Sequence, residues 1–378
     1  MQDSTREFQV FAKPVGPRCN LACDYCYYLE KGSLFSGESN TVMSYGLLEK
    51  YIKQHIEATT DQQVSFSWHG GEPILAGIDF FRSMVTLQRN YKPEGKAIIN
   101  GIQTNGTLLD KEWCRFLSEE SFLVGLSIDG PPEMHNAHRQ TAGGGETHDL
   151  ALQGWKLLKQ FGISYEILCV INSLNVKYPP EVYRYFRDSG ALFITFLPLV
   201  ERTGGVISDR TVPSEAFGDF LIAVFEEWKA NDIGRIKVQV FEEALRTAFH
   251  QDHTLCIFKK DCGGVPVVEH NGDFFSCDHY VDHNHLIGNI GDQSLASMLD
   301  SSRQGDFGRL KSETLPAYCR DCEVVDMCNG ECPRNRFITT PDGEAGLNYL
   351  CAGYKKFFSH CRPFTKAVAH LWRQQSSG

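Results

Sequence analysis

The chain has 378 residues, enough for two domains or one large domain with an appendage. Its 42% hydrophobic and 22% charged content is that of a soluble globular protein, and a net charge of −10 argues against a general binder of nucleic acid or anionic membrane. No apolar run is long enough to span a bilayer, and Met1–Glu7 lacks the apolar core of a signal peptide.

The expected location is therefore the cytoplasm, with neither nucleic acid nor membrane as partner. Fourteen cysteines in a compartment that keeps thiols reduced are not expected to form disulfides. Eleven of them fall into patterned groups, so metal binding is the economical reading.

Apolar, β-branched or aromatic runs predict strands at Phe8–Phe11, Val64–Trp68, Ala97–Ile102, Leu123–Ile128, Tyr165–Ile171 and Leu192–Leu197. Helical patterns lie between them at Leu47–Ala58, Phe80–Gln88, Lys111–Leu117, Leu150–Phe161 and Pro180–Asp188. This alternation predicts an α/β fold with a parallel sheet and helices outside it. Six strands are too few for an eight-stranded barrel. Further helices are expected at Ser214–Ala230 and Phe241–His250. Beyond Cys256 the chain turns rich in Cys, Gly and Asp, and Val265–Ser276 reads as a hairpin with an Asn271-Gly272 turn. The expected domains are 1–240, 241–361 and a C-terminal helix or tail at 362–378.

Cys19-x-x-x-Cys23-x-x-Cys26 follows the first expected strand. Three thiolates can bind three corners of a cubane iron–sulfur cluster and leave its fourth iron open to a small molecule. A zinc site or structural thiols are the alternatives, although zinc usually takes four ligands in two pairs. His69-Gly70-Gly71-Glu72-Pro73 follows the second strand, where paired glycines allow close backbone approach. Gln103–Thr107 ends the third strand and Gly125–Pro131 the fourth.

Near the C-terminus stand Cys256, Cys262 and Cys277, then Cys319-x-x-Cys322-x5-Cys328-x3-Cys332 and Cys351. Eight cysteines can fully ligate two cubanes. A zinc ribbon on Cys319, Cys322, Cys328 and Cys332 is the competing reading, and spacing alone does not decide the pairing. Cys114, Cys169 and Cys361 fit no pattern, and the first two read as core thiols.

The cysteine triplet and the Gly70-Gly71-Glu72-Pro73 loop resemble those of the radical S-adenosylmethionine (SAM) enzymes. The C-terminal cysteines resemble the SPASM module of peptide-modifying members. The runs Phe11–Tyr28, His69–Pro73, Gln103–Thr107, Phe122–Pro131, Cys277-Asp278 and Leu347–Cys351 resemble the anaerobic sulfatase-maturating enzymes.

The resemblance implies a partial (β/α)6 TIM-like barrel followed by a Cys-rich SPASM domain. It implies SAM and three [4Fe-4S] clusters as cofactors, the first on Cys19, Cys23 and Cys26. Cys256, Cys262, Cys277 and Cys332 would hold a second cluster, and Cys319, Cys322, Cys328 and Cys351 a third. Tyr25, Gly70, Gly71, Glu72, Ser127, Arg139 and Leu197 would contact SAM, and Asp278 would act as the base near substrate. The implied reaction is oxidation of a Cys or Ser in a sulfatase polypeptide, within Cys/Ser-x-Pro-x-Arg, to Cα-formylglycine. The implied electron donor is a flavodoxin- or ferredoxin-type protein. Two rivals stay open: a SPASM maturase that crosslinks a ribosomal peptide, and a non-catalytic iron–sulfur or zinc module.

Overall fold

The computed structural model describes residues 4, 7–36 and 41–376. Most of the Met1–Glu7 stretch and the last two residues of the expected 362–378 tail lie outside the described residues. Strands and helices alternate as β1 (Phe11–Ala12), α1 (Tyr45–Ala58), β2 (Gln63–Trp68), α2 (Ile78–Tyr91), β3 (Ala97–Thr104) and α3 (Lys111–Glu119). The series continues with β4 (Leu123–Ser127), α4 (His148–Gln160), β5 (Ser164–Ile171), α5 (Pro179–Asp188) and β6 (Phe193–Pro198). Then follow α6 (Ser214–Asn231), β7 (Lys237–Val238), α7 (Gln239–Ala248), β8 (Val267–Val268), β9 (Asp273–Phe275), β10 (Leu286–Asn289), α8 (Ser302–Glu313) and α9 (Cys351–Ser376). No helix among the described residues is long and apolar enough to cross a membrane.

The chain forms two compact units that interleave along the sequence. The first comprises Met1–Ser127, Asn136–Tyr165 and Gly263–Gly308; the second comprises Ile128–His135, Glu166–Cys262 and Arg309–Gly378.

In the first unit β1, β2, β3 and β4 are parallel neighbours, so their C-terminal ends share one edge. Strand β2 shows why this sheet is buried: Val64, Phe66 and Trp68 alternate and are all sealed from solvent. Trp68 finds a partner for its indole N–H in Asn100 Oδ1 at 3.1 Å. Helices α1 and α3 start at Ser44 and Asp110, whose side chains accept from Leu47 N and Trp113 N.

The other edge of β1 is taken by β8, which runs parallel to it with Phe11 opposite Val267. Strands β9 and β10 continue antiparallel from there. The first strand therefore sits later than Phe8–Phe11. Gln9 N does bond Gly264 O at 2.8 Å, but only Phe11 and Ala12 are paired on both sides. The hairpin turn is also one residue longer than an Asn-Gly turn. Gly272 N bonds Glu269 O at 2.9 Å and Gly272 takes φ +91°, so the turn spans Glu269–Gly272 with glycine closing it.

In the second unit β5, β6 and β7 are parallel. Helices α6 and α9 cross at glycines: a Cβ on Gly353 would lie 2.1 Å from Ser214 O, and one on Gly218 would lie 2.6 Å from Gly353 O. Gly353 N also bonds Ser214 Oγ at 3.1 Å. Around this crossing Phe225, Trp228, Phe241, Phe357 and Phe364 pack edge to face or tilted.

Candidate functional site

The chemistry-bearing residues of the first unit lie on loops at the shared C-terminal edge of its parallel strands. The Cys19–Cys26 loop leaves β1, the Gly70–Pro73 loop leaves β2, Asn105 follows β3 and Ser127 ends β4. The paired glycines have a structural use here. Gly71 N bonds Gly16 O at 2.8 Å and Glu72 N bonds Arg18 O at 2.9 Å. A Cβ on Gly71 would sit 2.1 Å from Arg18 O, so only glycine lets this loop lie against the cysteine loop.

Glu72 is fully buried. Its Oε1 accepts from Thr104 Oγ1 at 2.8 Å and from Ile74 N at 3.2 Å, and its Oε2 accepts from Asn105 N at 2.8 Å. Burial pushes its carboxyl up to about 7 against these hydrogen bonds. Its carboxylate thus ties the β2 and β3 loops together.

Three thiols line the cysteine loop. Burial pushes Cys19 up to about 12, opposed by the hydrogen bond from Leu21 N, and Glu72, Cys23 and Cys26 add to the rise. Burial also raises Cys26, while Arg139 and Lys13 pull it back. Such thiols stay protonated until a cation takes the proton's place, the ordinary chemistry of a thiolate metal ligand. Two residues unassigned from sequence hold the loop: Asn20 Nδ2 donates to Thr107 Oγ1 at 2.8 Å, and Asn105 Nδ2 donates to Asn20 Oδ1 at 2.9 Å. Asn105 Nδ2 also stands 3.8 Å from Cys19 Sγ.

Arg139 comes to the same loop. Asp24 N bonds His138 O at 3.2 Å and Ala22 N bonds Gln140 O at 2.8 Å, so the arginine segment pairs with the cysteine loop. The Arg139 guanidinium carbon lies 5.5 Å from the centre of the Tyr25 ring. Ser127 is buried at the end of β4. Leu197, on β6 of the second unit, is 38% exposed.

Asp278 lies just beyond β9, and the hairpin brings it to residues of the β1 end. Lys13 Nζ stands 2.6 Å from its Oδ1, and the Tyr27 hydroxyl donates to its Oδ2. Lys13 is almost wholly buried, with its ammonium 4.3 Å from the Tyr28 ring centre. Burial would raise Asp278, but Lys13, His279 and Tyr27 together hold its carboxyl well below the usual carboxylate range. It is therefore ionised at neutral pH and carries no proton of its own. His279 sets its ring edge-on to Tyr27, 5.4 Å between centres. His69 stacks on Phe11 at 4.0 Å, and burial drives it down to about 3, with Lys13 adding to the drop and Asp278 opposing it.

Sequence reasoning passed over Lys13 and Tyr27. The available signal was a lysine and a tyrosine inside otherwise apolar stretches flanking the cysteine loop.

The second unit holds Cys256, Cys262, Cys319, Cys322, Cys328, Cys332 and Cys351. Cys319, Cys322, Cys328 and Cys351 line one cavity, closed by Tyr318, Val325 and Tyr354. This wall contains Cys351 and lacks Cys332, which fits a four-thiolate cluster on the expected set better than a zinc ribbon ending at Cys332. Burial raises Cys328 to about 12 and Cys351 to about 11. Among the described residues no three His, Cys, Asp or Glu side chains gather on a single ion-sized point. Cys114, Cys169 and Cys361 are buried away from these groups, on α3, β5 and α9.

Residues 14–186 match the radical SAM superfamily, and residues 256–323 match SPASM, an iron–sulfur cluster-binding domain. The chain is 42% identical to a serine-type anaerobic sulfatase-maturating enzyme of Bacteroides thetaiotaomicron, over 94% of this chain and 89% of that one. It is 33% identical to a cysteine-type enzyme of Clostridium perfringens, over 95% and 97%. Among solved structures, native anSMEcpe with bound AdoMet superposes with a TM-score of 0.87 at 31% identity, covering 96% of this chain and 99% of that one. Streptococcus suis SuiB bound to the precursor peptide SuiA shares the fold alone, with a TM-score of 0.63 at 16% identity, over 91% and 76%. The α/β radical SAM fold with a Cys-rich SPASM domain is thereby borne out.

Proposed function

Since this chain belongs to the anaerobic sulfatase-maturating enzymes of the radical SAM superfamily, we propose that it oxidises a Cys or Ser side chain of a sulfatase polypeptide to Cα-formylglycine. The observation that carries the reading is the meeting of Asp278 with the end of β1. A buried, ionised carboxylate stands on the same unit and the same strand edge as the three-cysteine loop. A site that must take a hydrogen from carbon and a proton from a thiol or hydroxyl needs both.

Cys19, Cys23 and Cys26 would hold a [4Fe-4S] cluster, which together with SAM would supply the one-electron chemistry that takes a hydrogen atom from the substrate Cβ. The chain's own residues do the rest of the positioning. Arg139 offers a guanidinium suited to the SAM carboxylate, with Tyr25 beneath it. Gly70 and Gly71 bring backbone against the cysteine loop, Glu72 pins the β2 and β3 loops, and Ser127 at the end of β4 completes the proposed SAM contacts of this unit. Asp278 accepts the thiol or hydroxyl proton at a carboxylate oxygen, and Lys13 and Tyr27 orient it. The C-terminal cysteines would hold two auxiliary clusters to take up the second electron; Ser then gives the aldehyde directly, and Cys gives a thioaldehyde that water hydrolyses with release of sulfide.

The sulfatase segment would carry Cys/Ser-x-Pro-x-Arg. A flavodoxin- or ferredoxin-type protein would deliver electrons in the cytoplasm, a compartment that keeps thiols reduced. The deciding experiment incubates anaerobically reconstituted enzyme with SAM, dithionite and Cys- or Ser-containing motif peptides. An aldehyde product together with 5′-deoxyadenosine supports the reading. A crosslinked peptide of unchanged aldehyde content, or no 5′-deoxyadenosine, overturns it.

A further inference from the structure

The loop between Cys328 and Cys332 has an unusual backbone. Asn329, Gly330 and Glu331 take φ values of +46°, +69° and +52° in succession. Asn and Gly accept this conformation at small cost, but Glu does not, so something must hold the loop. Arg336 holds it. Its Nε donates to Gly330 O at 2.9 Å, and its Nη2 donates to Asn329 O at 3.0 Å and Glu331 O at 3.4 Å. Its Nη1 donates to Lys311 O at 2.6 Å. A Cβ on Gly330 would meet Arg336 Nη2 at 2.5 Å, so the glycine is required for this contact. The acceptors are backbone carbonyls, which satisfy the donors without cancelling the charge.

That charge reaches both groups of C-terminal cysteines. Burial disfavours the guanidinium's charge, while Cys319, Cys262, Cys328 and Glu331 favour it. Lys311 differs. It is fully buried and donates to Cys256 O at 3.1 Å and Ile257 O at 2.8 Å, and Cys262 and Cys256 favour its charge. Reducing a cluster adds negative charge, which a nearby buried cation stabilises.

We propose that Arg336 is a positioning residue shared by both auxiliary clusters: it clamps the Cys328–Cys332 loop that joins their ligand sets, and its fixed charge raises the reduction potential of each. Lys311 does the same for the cluster of Cys256 and Cys262 alone. The inference rests on the two-cluster reading given under Proposed function.

The test is an electron paramagnetic resonance redox titration of reconstituted full-length protein carrying Cys19→Ala, Cys23→Ala and Cys26→Ala, so that only auxiliary signals remain. Iron content near eight per chain in this background establishes the two clusters; a value near four refutes that reading before Arg336 is touched. With iron retained, Arg336→Gln shifts both midpoint potentials negative, Arg336→Lys restores them in part, and Lys311→Met shifts one signal. Unmoved potentials in Arg336→Gln overturn the inference. Where Arg336→Gln fails to load iron, Lys311→Met decides: one shifted signal supports the charge assignment, and two or none overturns it.

Discussion

Asp278, Lys13 and His55 show how single side chains set the chemistry and the pH response. Asp278→Asn keeps the shape of the carboxylate and removes its basicity. We expect SAM cleavage to persist while aldehyde formation falls by roughly 10²–10⁴-fold, the usual loss of a general base. The check is 5′-deoxyadenosine and aldehyde measured side by side; equal loss of both assigns Asp278 to cofactor binding instead. His55 is buried on α1 against Tyr51, 3.1 Å from its hydroxyl, and burial lowers it to about 3. An unfolded histidine takes a proton near pH 6.5 and the folded one does not, so this group costs stability as pH falls below 6.5, by about 1.4 kcal/mol per pH unit. His55→Gln removes that slope. Denaturation midpoints of both proteins at pH 6.5 and pH 5 should therefore converge on acidification, and parallel lines would show that His55 is protonated in the fold. The cysteines were legible from spacing because their chemistry is local. Lys13 was not, because its partner comes from a hairpin far along the chain and nothing near Lys13 announces it.

Elements were legible where the pattern is long and one-sided. Helix α3, with Asp110 before it and Trp113, Phe116 and Leu117 buried, lies where its periodicity puts it. Strand β1 was not legible to the residue, since its two paired positions are chosen by β2 and β8 rather than by its own apolar run. Nor does any short-range signal show that β8 pairs in parallel with β1. The crossing of α6 and α9 is equally silent in sequence, because Gly218 and Gly353 matter only once the helices meet. Gly353→Leu should force them apart, destabilising the protein by about 1–3 kcal/mol. It should also disturb Cys351, two residues away at the head of α9. Thermal melting and iron analysis test both effects; a full iron load with lowered stability would separate the crossing from the cluster.

For the whole molecule the expected load is three cubanes, about 12 iron and 12 sulfide per chain. Joint replacement of Cys19, Cys23 and Cys26 by Ala should lower this to about eight and abolish 5′-deoxyadenosine formation, since the auxiliary cysteines belong to other segments. Stoichiometric zinc in place of the auxiliary iron would contradict it. At this scale the motifs conveyed fold class and chemistry together, because the alternation of elements puts every loop after β1 to β4 on one edge. The interleaving of the two units was beyond their reach. It depends on residues 263–308 returning to the first unit, and no composition boundary marks that return.

That return has a consequence for biosynthesis. Tyr27 and Asp278 are separated by 251 positions, and β1 lacks one neighbour until β8 exists. At ordinary translation speeds the interval is on the order of ten to fifty seconds. Throughout it the cysteine loop has left the ribosome while Asp278, the partner of Tyr27, has not been made. The first unit thus has high contact order and completes its sheet only after most of the second unit's strands have emerged. A nascent chain halted before Val267 keeps its three N-terminal thiols and its β2–β4 ladder but has no partner for the outer edge of β1. The order of assembly is therefore written into the strand order: the three-cysteine loop comes first, and Asp278, the proposed proton acceptor, only after β8 and β9.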